Sequence, residues 1–126
     1  MIVKKDDDKM SRIAALQTLG HIGPPAAEAA PVLAELLADP DKEIRQFAAQ
    51  ALGDIGPAGK AAVPALVKLA KWDGNSATRC AAVGALASIG REAKEVVPAL
   101  KELLQDPSDE VRRAAAKGLA ALKEQE

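Results

Sequence analysis

Large rings are almost absent from this chain: Phe47 and Trp72 are its only aromatic side chains, in a sequence that is otherwise 48% apolar. A core so poor in aromatics must be built from Ala, Leu, Val and Ile, whose small members let helices approach closely, and that is an all-helical composition. Cysteine is equally scarce. Cys80 stands alone, so no internal disulfide can form, and with no signal-peptide pattern ahead of the first helix the expected setting is the reducing cytoplasm. His21 is the single histidine, a poor basis for general-base chemistry, and a zinc site needs several such ligands. No apolar run approaches the roughly 18 residues that a membrane span requires. Neither charge dominates. The 17 basic and 18 acidic residues are interspersed and sum to −1, which gives no electrostatic reason to expect nucleic acid or an anionic membrane as partner.

What the chain does have is a repeat. The string LGHIGP beginning at Leu19 returns as LGDIGP at Leu52 and as LASIGR at Leu86, at intervals of 33 and 34 residues. Arg12, Arg45, Arg79 and Arg112 keep the same register, as do Pro31, Pro64 and Pro98. One domain, 1–126, therefore divides into units of approximately 6–38, 39–72 and 73–105 and a partial fourth, 106–126. Asp6 to Lys9 resembles a cleavage linker, but it lies in register with Asp39 to Lys42 and reads as repeat. Residues 2–4 fall where an earlier second helix would end, so the chain starts and stops inside the repeat and is read either as standing alone or as a fragment of a longer array. A unit of this length cannot bury its apolar face alone and must stack on copies of itself, which predicts an open solenoid.

Within one unit the spacing predicts a first helix from Asp39 to Ile55 and a second from about Ala61 to Lys71. Asp39 is expected to cap the first helix, with Pro40 at its first position, where the missing N–H is not needed. Ile44, Phe47, Ala48, Ala51, Leu52 and Ile55 form one apolar stripe. Gly53 and Gly56 are expected to end the helix, Gly56 in the left-handed conformation with Pro57 blocking continuation, and Gly23-Pro24 repeats the device. Pro64 is tolerable only in the first turn of the second helix, which places that start near residues 60–63. Core counterparts in the second helices are Ala30, Leu33, Leu36 and Leu37, then Val63, Leu66, Leu69 and Ala70, then Val97, Leu100, Leu103 and Leu104.

Asp39-Pro40, Ile44-Arg45, Ala48-Ala49, Ala51-Leu52-Gly53, Ile55-Gly56 and Ala62-Val63-Pro64-Ala65-Leu66 resemble the HEAT repeat family, and within it the HEAT-like units named after phycobilisome lyases. The resemblance covers almost the whole chain. It implies an all-α right-handed superhelix of antiparallel helix pairs, about 3.5 repeats long, with first helices convex and second helices concave, serving as a scaffold for proteins. Departures from the pattern include Ala87 and Ala120 in place of Gly53, Lys123 in place of Gly56, and Ser11 and Thr78 at the apolar position before arginine.

One polar device recurs in every unit: Asp6 and Arg12, Asp39 and Arg45, Asp73 and Arg79, Asp106 and Arg112, each pair six residues apart. Arginine in the first turns of a helix faces the positive end of the macrodipole and needs a compensating carboxylate. A planar guanidinium can bind its own unit's aspartate and bridge to that of the next, giving a structural ladder, with an anion clamp as the functional alternative. Trp72 marks an insertion. Pro64 to Asp73 spans nine residues where Pro31 to Asp39 and Pro98 to Asp106 span eight, so Trp72 either anchors a partner or covers a widened loop. Opposite the second-helix core lie Glu28 and Glu35, then Lys68 and Lys71, then Glu95, Glu102 and Gln105, a face of alternating charge that suits a charge-matched protein or peptide or is simply solvated.

The resulting expectation is a non-catalytic scaffold that binds a protein or peptide on the concave second-helix face, without a cofactor, a metal, nucleic acid or a membrane. Two other readings stand beside it. Open solenoid ends can pair to form a homo-oligomer. The lyase resemblance implies instead an accessory subunit that helps attach or remove a chromophore. Cys80, set among alanines, reads as a packing residue and not a nucleophile.

Overall fold

Seven helices follow one another in the computed structural model, which describes residues 5–22, 28–90 and 93–124: α1 (Lys5–Ile22), α2 (Ala30–Leu36), α3 (Lys42–Ile55), α4 (Val63–Trp72), α5 (Ser76–Ile89), α6 (Val96–Leu103) and α7 (Asp109–Glu124). No strand occurs among the described residues. The first helices α1, α3, α5 and α7 pack side by side as one layer, while α2 lies on α3, α4 on α5 and α6 on α7 as the other. Each second helix is thus seated on the first helix of the following unit, and the whole is an all-α solenoid. The readings made on residues 2–4 and on Gly23-Pro24 fall outside the described residues.

The apolar stripe of α3 is buried at Ile44, Ala48, Ala51, Leu52 and Ile55, but Phe47 is only partly covered. In the second helices Leu33, Leu66 and Leu100 are fully buried. Val96 takes the core position expected of Val97, which is half-exposed like Leu36 and Leu104. Burial of some thirty Ala, Leu, Val and Ile side chains, not aromatic packing, supplies the driving force.

Helix starts differ from the expectation. The cap of α3 is Asp41, whose backbone is extended (φ −86°, ψ 121°) and whose carboxylate accepts the Glu43 N–H at 2.8 Å. Its carbonyl accepts the first intrahelical bond, from the Arg45 N–H. Asp39 cannot do this because its own carbonyl and that of Pro40 are taken by the Arg45 guanidinium, which holds both residues ahead of the helix. The carboxylate of Asp39 instead folds onto the Asp41 N–H at 2.8 Å, a local turn of the kind aspartate favours. Asn75 caps α5 in the same way and also accepts from the hydroxyl of Thr78, so this threonine satisfies its polar atom although it is fully buried where Ile44 and Val111 stand in other units.

Helix ends also differ. Gly56 and Gly90 have φ of 77° and 79°, but with ψ of −144° and −158° they lie in an extended region open essentially to glycine and not in the left-handed helical one. From there the chain enters a 3-10 corner, Gly56–Ala62, before α4 begins at Val63 with Pro64 in its first turn. Gly53 does not end α3 at all; it lies inside the helix against α5.

The one-residue insertion leaves the next unit in place. Asp39 and Asp106 donate their N–H to Leu36 and Leu103, three residues back, whereas Asp73 donates to Leu69, four residues back, each at 3.1 Å. Leu36, Leu69 and Leu103 are equivalent positions, so an α-type last turn replaces a 3-10-type one and absorbs the extra residue.

Candidate partner-binding site

Position along the solenoid is set by the arginine ladder. Arg45 Nε donates to Asp73 Oδ1 at 2.7 Å and Nη2 reaches Oδ2 at 3.5 Å, while Nη1 donates to the carbonyls of Asp39 and Pro40 at 2.8 and 3.1 Å. Arg79 repeats the arrangement on Asp106, at 3.2 Å to each oxygen, with Nη1 on the Asp73 carbonyl at 2.7 Å. Within a unit, then, arginine binds the main chain of the aspartate six residues back and not its carboxylate. The carboxylate it binds belongs to the next unit, where it also accepts a backbone N–H, from Asn75 or Ser108. The Asp73 and Asp106 side chains are 6% and 5% exposed, so these ion pairs sit largely out of water. Arg112 turns to Asp109 of its own helix at 3.3 Å and to the carbonyls of Asp106 and Pro107. The side chains of Asp6 and Arg12 lie outside those described.

Beside this ladder, a groove of about 450 Å³ lies between α2 and α4. Ala34, Leu37, Ala65 and Leu69 form its apolar walls, Lys68 and Trp72 its rim, and the Arg45–Asp73 pair closes one end. Trp72 is 77% exposed, the most exposed large apolar side chain among the described residues. A second groove, about 380 Å³, runs between α4 and α6 past Val67, Lys71, Glu95 and Glu102, but an ion pair between Lys71 and Glu102 bridges it. Glu28, Glu35 and Gln105 are exposed and line neither groove.

The eight face residues inferred from the sequence are therefore not equivalent. Lys68 and Trp72 come together at one groove, and Lys71, Glu95 and Glu102 at another. Lys71 and Arg45 are neutralised by carboxylates, whereas Lys68 forms no ion pair with a described residue. Sequence reasoning missed Ala34, Leu37, Ala65 and Leu69 as groove walls and Lys94 at the second groove; small residues at matching positions of successive second helices were the available signal.

Other chemistry-bearing groups stand apart from this face. Cys80 is half-buried in α5, and burial, reinforced by the Glu110 carboxylate, pushes its thiol up and so disfavours the nucleophilic thiolate. The side chain of His21 lies outside those described. Among the described residues no group of three or more His, Cys, Asp or Glu is placed to hold a metal ion, and no helix is long and apolar enough to cross a membrane.

A stack of short helix pairs joined by inter-unit arginine–aspartate bonds defines a helical repeat solenoid. HEAT repeats match residues 2–76 and 63–126, and the chain belongs to that family. The match is to HEAT repeats as a whole, without distinction of the lyase-type units. Among solved structures, an engineered protein is 26% identical with a TM-score of 0.70 over 96% of this chain and 59% of its own. A designed armadillo repeat protein in complex with the peptide (KR)4 is 22% identical, with a TM-score of 0.69 over 95% of this chain and 64% of that one. A second designed armadillo repeat protein is 24% identical, with a TM-score of 0.64 over 88% of this chain and 58% of that one. The two armadillo likenesses speak to the fold alone. The chain spans 58% to 64% of the length of these three structures. No curated protein matches it.

Proposed function

We propose that the chain is a non-catalytic scaffold, working in the cytoplasm, that holds a protein or peptide partner on its second-helix layer. One observation carries this reading: an indole 77% exposed at the rim of a 450 Å³ apolar groove. Exposing a tryptophan forgoes a large part of its burial energy, and such residues in grooves mark binding surfaces more often than plain surface. The peptide seated on the designed armadillo neighbour supports the same use of a helical solenoid. Nothing lining the groove favours a chromophore-handling role over this one.

Photo-crosslinking tests the face. A benzoylphenylalanine placed at the exposed Ala38 beside the groove or at Glu102 on α6 is expected to capture one and the same protein, and one placed at the exposed Gln50 or Lys117 on the first helices is not. Equal capture from both layers would remove the reading.

End-to-end self-association has its own observation. Met10 and Val32 are 64% and 58% exposed in the first unit. Val32 is in register with Ala65 and Ala99, which line the grooves between successive second helices, and no second helix precedes α2 among the described residues. Light scattering decides this, since a mass that stays monomeric as concentration rises would sink self-assembly.

A further inference from the structure

Resting on the reading of the second-helix layer as the binding surface, we infer that the α2/α4 groove takes an extended acidic peptide segment, with a bulky apolar side chain seated against Trp72 and a neighbouring carboxylate on Lys68 Nζ.

Charge bookkeeping inside the groove selects the sign. Four charged residues line it: Asp39, Arg45, Lys68 and Asp73. Arg45 and Asp73 satisfy each other, and Asp73 also accepts the Asn75 N–H. The Asp39 carboxylate accepts the Asp41 N–H and takes part in the ladder's local turns. That leaves Lys68 as the cation without a carboxylate. A basic segment entering here would meet a like charge and only engaged carboxylates, whereas an acidic one finds its counter-ion.

Geometry selects the pairing. Lys68 and Trp72 are four residues apart on α4, hence on one face with Cβ atoms about 6 Å apart, roughly the spacing of side chains two residues apart on one face of an extended peptide. The apolar walls of Ala34, Leu37, Ala65 and Leu69 give one large side chain a place in the groove that Trp72 also lines. No Asn or Gln lines the groove among the described residues, so the recognition proposed is of the ligand's side chains. The neighbouring α4/α6 groove differs: Lys71 is held by Glu102, and although Lys94 also lines it, the groove carries the carboxylates of Glu95 and Glu102 and no described aromatic ring.

Trp72 is the only tryptophan and the chain has no tyrosine, so its emission reports on this groove alone. The probe is a short synthetic peptide in which aspartate and phenylalanine stand two residues apart with serine between them, titrated into the intact chain beside a lysine–phenylalanine peptide, with lysine for each aspartate, and an aspartate–glycine peptide, with glycine for each phenylalanine. The aspartate–phenylalanine peptide is expected to shift Trp72 emission to the blue and to saturate; the aspartate–glycine peptide should bind at least about tenfold more weakly, for want of the apolar anchor. Lys68→Glu, at an exposed position and checked for unchanged helicity, should weaken the acidic peptide about tenfold or more and bring up binding of the lysine–phenylalanine one. If the lysine–phenylalanine peptide binds wild type as well as the acidic one, or Lys68→Glu changes nothing, the acidic specificity falls while a saturable shift still leaves the layer as a binding surface. If no peptide moves the emission, the groove is overturned as the site, and cross-linking from Glu102 on α6 judges the scaffold reading separately.

Discussion

Gly53 of α3 faces Ala85 of α5 so closely that a Cβ on the glycine would stand 3.1 Å from the Ala85 Cα. At the next crossing the glycine has changed sides. Ala87 of α5 occupies the position of Gly53, and the residue facing it on α7 is Gly118, whose added Cβ would lie 3.1 Å from that of Ala87. Each described crossing between these first helices therefore accommodates one glycine against one alanine, and the loss of glycine at Ala87 is compensated across the interface.

Gly53→Ala should lower the melting temperature although alanine is the better helix former. The gain in helix propensity is about 1 kcal/mol, but overpacking a close backbone contact costs about 1–3 kcal/mol. Gly84, mid-helix in α5 with nothing within 4 Å of its added Cβ, supplies the contrast: Gly84→Ala should raise stability by up to about 1 kcal/mol. Thermal unfolding followed by circular dichroism measures both, and two shifts of the same sign would contradict the packing role of Gly53.

The repeat register and the helix pairs were legible because a solenoid reuses the same local contacts, so Asp39, Arg45 and Pro64 return at each unit. Choices between adjacent candidates were not. Asp39 and Asp41 both flank Pro40, and only the capture of two carbonyls by Arg45 makes the second the cap. A glycine near a helix end reads alike whether it serves a turn, as Gly56 does, or a close approach, as Gly53 does. Lys68 and Lys71 are indistinguishable on a helical wheel, yet only Lys71 meets Glu102. The groove itself joins α2 to α4, more than thirty residues apart, by packing alone.

Asp73→Ala should cost about 2–4 kcal/mol, since it strands the guanidinium of Arg45, 19% exposed, and frees the Asn75 N–H ahead of α5. Arg112→Ala should cost under about 1 kcal/mol, because that side chain is 41% exposed and its partner Asp109 60%. Urea unfolding compares them. Equal midpoints for the two variants would argue that the inter-unit pairs do not hold the stack.

Stability should be flat through neutral pH and fall at both extremes. The hydrogen bond from Lys9, helped by the Glu43 N–H, holds the Asp41 carboxyl below the usual range, and Arg113 does the same for Asp109. A lowered carboxyl stabilises the fold fully above the ordinary carboxylate pKa of about 4 and loses that contribution as pH falls through the folded value. Lys9 is raised by its bonds to Asp41 and Glu43, so its contribution is present below about pH 10.5 and disappears as pH climbs past it. Asp41→Asn keeps an acceptor for the cap and should mainly flatten the acid limb of the melting-temperature profile. Asp41→Ala should lower the profile at neutral pH by a few degrees as well.

Trp72→Ala separates an anchor from a cover. If the indole sheltered the end of α4 against its neighbour, truncation would open a cavity and cost about 3 kcal/mol or more. An indole 77% exposed has little packing to lose, and Asp73 is positioned without it by the bond from its N–H to the Leu69 carbonyl. Removal should therefore leave stability within about 0.5 kcal/mol. In the free chain the emission should lie close to that of indole in water and be quenched readily by iodide. A blue emission shielded from iodide, together with a destabilised alanine variant, would mean that the insertion was made to close the loop and that the groove rim offers nothing to a partner.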